Sequence, residues 1–159
     1  ITTPYFNFFE LDVLCRMGKL TEVLDKIRSY WGGMLDLGAV TFWEEYDPSV
    51  PKEEQYDMYG DHFGKSLCHA WAASPIYFLA KYFAGLDLVN KDGVTYILKP
   101  QMQYFTELDC TLPVGSNGVM RLVWDGEILE ITPNADGGIL ELGEQKLSLV
   151  RGETRRVKI

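Results

Sequence analysis

A chain of 159 residues is long enough for one or two small domains with real cores. Its formal net charge of −8 argues against nucleic acid or an anionic membrane as the main partner. It has no run of about 18 apolar residues that would make a transmembrane helix, and no basic-then-apolar leader at its start.

The chain begins with Ile1 rather than Met, which reads as a processed protein or a piece of a longer one. Thr3-Pro4 starts a helix with proline in its first turn, and Gly18 stops it. Thr21 is expected to cap a second helix, with Val23, Leu24, Ile27, Tyr30 and Trp31 on one side and Gly32-Gly33 as its end. The short Gly-Lys-Leu link makes the two an antiparallel hairpin. From Gly38 to Lys65 the chain is irregular but rich in aromatic residues, so a long ordered loop is expected. Helix is expected again over Ser66–Ala73, and Ser74-Pro75 opens another over Ile76–Ala84, closed by Gly85.

Near residue 95 the period changes to two. Strands begin at Tyr96-Ile97-Leu98. Leu108, Cys110 and Leu112 then alternate, and Met120, Leu122 and Trp124 lie opposite Val119, Arg121 and Val123. Asp125-Gly126 is a hairpin signal, Pro133 to Gly138 is a longer turn, and the basic tail suits an edge strand. The expected architecture is α+β, with the two classes segregated: a helical part over 1–95 and a small antiparallel β-sandwich over 96–159.

Chemistry-bearing residues concentrate in the long loop. Cys15, Cys68 and Cys110 show neither CxxC spacing nor a disulfide framework, and Cys15 falls in an apolar helical pattern as a buried thiol. His62 and His69 lack the i, i+4 spacing of a helical metal pair, and there is no glycine-rich phosphate loop. Neither a metal nor a cofactor is therefore expected. Glu44, Glu45, Asp47, Glu53, Glu54, Asp57 and Asp61 form an acidic run that reads mostly as a solvated face. Glu44 and Glu45 stand apart because Trp43 and Tyr46 flank them. An aromatic ring beside a carboxylate suits a sugar, and such a carboxylate can also activate water.

Two stretches carry a resemblance. "YWGGMLDLGAVTFWEEYDPS" and, further on, "GKSLCHAWAASPIYFL" resemble the C-terminal part of the catalytic domain of bacterial α-L-rhamnosidases. The chain from "LKPQ" onward is similar to the β-sandwich that follows in that family. The resemblance implies an α/α toroid of six helical hairpins and an inverting mechanism. It makes Glu44, in Thr41-Phe42-Trp43-Glu44, the general base. His69 becomes a sugar contact, Trp43 shapes the pocket, and Trp71 packs behind His69. It also implies that the general acid lies upstream of these 159 residues, so that the chain is a fragment, inactive alone, whose partners are rhamnose-containing glycans and the rest of a parent chain. A role in degrading polysaccharide suggests a periplasmic or extracellular place. Three other readings are another α/α-toroid glycosidase, a carbohydrate-binding or assembly module, and a core plug formed by Phe42 and Trp43.

Overall fold

The computed structural model describes residues 2–91, 94–114 and 118–159. The chain divides into two compact units, Ile1–Phe78 and Leu79–Ile159. Among the described residues no helix is long and apolar enough to cross a membrane.

The first unit is built on α1 (Pro4–Arg16) and α2 (Leu20–Asp36). Thr3 precedes α1 in an extended conformation and Pro4 occupies its first turn, where the missing N–H is harmless. The helix closes in a paired wrap, with Gly18 N–H on the Cys15 carbonyl and Lys19 N–H on that of Leu14. Lys26 reaches Glu10 at 3.2 Å, and the Tyr30 hydroxyl donates to the Thr2 carbonyl, which makes α1 and α2 antiparallel. Leu11, Cys15, Val23, Leu24, Tyr30, Trp31 and Met34 are buried.

Two details of α2 differ from the sequence reading. Lys19, not Thr21, precedes the helix, and among the described residues no side chain caps it. The helix also runs through Gly32-Gly33 and stops at Gly38 (φ +93), where Gly38 N–H bonds the Leu35 carbonyl and Ala39 N–H that of Met34. The reason at Gly33 is close approach: a Cβ there would lie 2.4 Å from the Tyr46 hydroxyl oxygen. Packing of that ring on the helix outweighs the roughly 1 kcal/mol that glycine costs inside a helix.

Beyond the loop, the helix expected over Ser66–Ala73 is only a 3₁₀ turn at Ala70–Ala72. Trp31 Nε1 donates to the buried Ala72 carbonyl at 2.8 Å. The short α3 (Ser74–Phe78) follows, with Phe78 fully buried against Phe8 at a centroid distance of 5.1 Å.

The second unit opens with a π-turn, Leu79–Phe83, and its described residues form eight strands in two sheets. They are β1 (Leu86–Lys91), β2 (Val94–Leu98), β3 (Leu108–Val114), β4 (Gly118–Trp124), β5 (Ile128–Pro133), β6 (Gly138–Leu142), β7 (Gln145–Leu149) and β8 (Arg155–Lys158). The sheet orders are β1-β2-β6-β7 and β3-β4-β5-β8. The first strand therefore lies within the stretch read as helical. The sheets are largely antiparallel, but β2 and β6 pair in parallel, with Tyr96 opposite Gly138. The Pro133–Gly138 turn thus passes the chain from one sheet to the other. Gly138 is required beside the Tyr96 ring, since a Cβ there would lie 2.3 Å from the ring's Cζ.

Met120, Leu122, Leu129 and Ile131 of one sheet and Tyr96, Leu98 and Leu140 of the other are all fully buried in one shared core. The alternation along β4 makes one face of its sheet apolar, and the two apolar faces meet. The basic tail forms edge strand β8, where Arg156 pairs with Glu130 at 2.9 Å and Lys158 with Glu127. Leu122→Ala leaves a cavity in this core, with an expected loss of about 3 kcal/mol in urea unfolding. A loss under about 1 kcal/mol would contradict this packing.

Candidate active site

The site is made of two chain segments held side by side. Phe42 O accepts from His69 N–H at 2.8 Å, Glu44 N–H donates to Ser66 O at 2.9 Å, and Thr41 Oγ1 donates to Leu67 O. These bonds run antiparallel, so the Thr-x-Trp-Glu and Cys-His stretches, separate in sequence, lie together. Alternation of an extended chain then separates neighbours. Trp43 is 3% exposed and packs edge-on to Tyr56 at 5.6 Å, while Glu44 is half-buried.

Tyr46 anchors the far side of the motif. Its N–H is shared between Thr2 O at 3.0 Å and the Tyr30 hydroxyl at 3.2 Å, and its ring meets Tyr30 edge-on. Further along, Gln55 is 2% exposed, and its amide donates to the Asp47 and Val50 carbonyls at 2.6 and 2.8 Å. The loop is therefore pinned on both sides of Glu44.

The Glu44 carboxylate takes one hydrogen bond on each oxygen. Tyr59 Oη donates to Oε1 at 2.8 Å and Ser66 N–H to Oε2 at 3.1 Å. These two donors, helped by the positive fields of His69 and Lys65, hold its pKa below the ordinary glutamate value. A carboxylate has about four lone-pair sites, so acceptor capacity remains for a water. The group is an anion at neutral pH, which suits a base rather than an acid.

The structure brings Glu44, Trp43 and His69 into this one pair of segments. His69 is half-buried and precedes the 3₁₀ turn rather than sitting in a helix. Trp71 is not packed behind it: that ring is 66% exposed and lies against Tyr5 at 5.2 Å. His62 pairs instead with Asp57, Nδ1 to Oδ1 at 2.5 Å, with both side chains exposed. Cys15 is buried, and its thiol is pushed up to about 11 by burial and by Asp12.

Two residues of the site escaped the sequence reading. By sequence, Tyr59 is one of several aromatic residues in the long loop. Lys65 is buried, at 8% exposure. Burial pulls its pKa down against the opposing fields of Glu45, Asp57, Asp47 and Glu44. No local signal marks either one, because both roles arise from how the loop folds back.

No family model and no curated protein matches the chain. Among solved structures it is similar to the GH78 family rhamnosidase of Bacillus sp. GL1, with a TM-score of 0.66 and 23% identity over 91% of this chain. The match spans only 15% of that enzyme. The likeness establishes the fold, helices followed by paired sheets, as that of a small part of a glycoside hydrolase.

Proposed function

We propose that this chain is the C-terminal part of an inverting glycoside hydrolase that removes terminal α-L-rhamnosyl residues, with Glu44 as general base. The observation that carries the reading is the Glu44 carboxylate held between the Tyr59 hydroxyl and the Ser66 N–H, where the two resembling motifs are joined. The helices belong to an α/α toroid completed by the rest of a longer chain, and the sheets form the sandwich that follows it.

In this mechanism Glu44 takes a proton from a water molecule as the water attacks the anomeric carbon. Attack comes from the face opposite the leaving oxygen, so the sugar is released with inverted configuration. A general acid elsewhere in the parent protein protonates the leaving oxygen, across a carboxyl separation of about 6.5–9.5 Å. His69, beside Glu44, contacts the sugar. Trp43, being buried, acts from behind by fixing Tyr56 and the loop. The identity of the sugar rests on the paired motifs, since the geometry would serve other sugars too.

An aryl α-L-rhamnoside separates the cases. The full-length protein is expected to hydrolyse it, and the 159-residue chain alone to show no turnover, because a base without its acid forfeits most of the rate. Comparable turnover by the isolated chain would remove the need for an acid elsewhere. An inert full-length protein would remove the substrate.

A further inference from the structure

Tyr59 occupies an uncomfortable position. It is the first central residue of the Met58–Asp61 turn, closed by reciprocal 3.0 Å bonds between Met58 and Asp61. Tyr59 has φ 57 and Gly60 φ 81. Two successive positive φ values are what a type I′ turn requires, and Asn-Gly is the pair that adopts them readily. Among the described residues, Tyr59 is the only non-glycine at positive φ. A bulky side chain is strained there, and strain of this kind persists where the surrounding structure uses it.

Packing of the ring does not explain the choice, because Tyr59 is 80% exposed. What the position provides is reach. The hydroxyl arrives at Glu44 Oε1 from fifteen residues away at 2.8 Å, while Ser66 N–H holds Oε2. Donors on both oxygens fix the plane of the carboxylate as well as its charge. The bond also pushes the phenol's own pKa up, so Tyr59 stays a donor.

We propose that Tyr59 is a positioning residue, kept in a strained turn so that its hydroxyl holds the Glu44 carboxylate in one orientation as an anion. The proposal rests on the reading of Glu44 as the base, and it adds a group that sets the base's orientation and working pH range.

Two variants test it. In the 159-residue chain, the Glu44 carboxyl is titrated by carbon-13 NMR in wild type, Tyr59→Phe and Tyr59→Asn. Both variants are expected to move the Glu44 titration to higher pH. Tyr59→Asn, which suits the turn but cannot reach Glu44, should keep or raise the melting temperature, by about 2 °C. In the full-length protein, Tyr59→Phe should shift the acid limb of kcat/KM to higher pH and lower kcat about tenfold, the worth of a hydrogen bond to a charged group. An unmoved Glu44 titration in Tyr59→Phe overturns the proposal, as does a melting temperature that falls in Tyr59→Asn while the titration stays put. If the titration moves but full-length Glu44→Gln remains active, Tyr59's hold on the carboxylate stands and the base assignment fails.

Discussion

Glu44→Gln in the full-length protein is expected to lower kcat by about 10²- to 10⁴-fold, the usual contribution of a positioned general base. The substitution keeps the shape of the side chain and one carbonyl acceptor, but an amide cannot take a proton from water at neutral pH. Glu44 lies at the surface of its loop, and Tyr46 and Gln55 anchor that loop without it, so folding should survive. The loss then belongs to chemistry and should appear in kcat more than in KM. The pH dependence has a definite sign. The Tyr59 and Ser66 donors lower the pKa of Glu44, so the base stays ionised below the ordinary glutamate range and fails only as pH falls through that lowered value. The same bonds stabilise the folded chain above the unfolded-state pKa and are lost as pH drops through the folded one. A pH–rate profile with its acid limb at or above the ordinary glutamate value would contradict the assigned environment.

Gly85→Val is expected to cost the second unit about 4 kcal/mol, close to the upper end for single substitutions. Gly85 has φ +76, where a β-branched residue is strained by roughly 1–2 kcal/mol. The larger problem is space. A Cβ would stand 1.9 Å from the Lys99 carbonyl oxygen and 2.9 Å from Pro100 N. Both are backbone atoms, held by Lys99 N–H on Gly85 O at 2.9 Å and by Gln101 N–H on Phe83 O at 2.8 Å. No rotamer relieves the clash, so the strand start must move. Gly143→Ala is the matched control: φ is +58, but among the described residues nothing lies within 4 Å of its Cβ. It should cost only about 1 kcal/mol. Urea unfolding of the two variants reads the difference directly, and similar losses would show that backbone approach at Gly85 is not what matters.

The parts of the fold legible beforehand are those where one local rule acts without competition. Met120, Leu122 and Trp124 alternate along β4 because one face of the sheet is covered. Gly18 and Pro4 bound α1 because each suits its backbone position. The misses are places where distant contacts decide. Gly32-Gly33 has the composition of a stop, yet the Tyr46 ring needs that surface and the helix continues. In β1, Leu88 is 59% exposed and the pairing slips between Leu88 and Lys91, so the period of two is blurred. The parallel pairing of β2 with β6 joins strands far apart in sequence, and no hairpin signal announces it.

The site divides in the same way. Glu44 stood out because acids seldom sit between Trp and Tyr, and the motif pair distinguished it from Glu45. Tyr59 did not, because Met58-Tyr59-Gly60-Asp61 lacks the Asn-Gly pair that marks such a turn. Lys65 carries no local mark in the sequence, and only the folded loop buries it.

Proton NMR of the first sugar released from an aryl α-L-rhamnoside by the full-length protein tests the account most directly. The account predicts that β-L-rhamnose appears first and then mutarotates, with release lost in Glu44→Gln. α-L-Rhamnose appearing first, or release unchanged in Glu44→Gln, would contradict it.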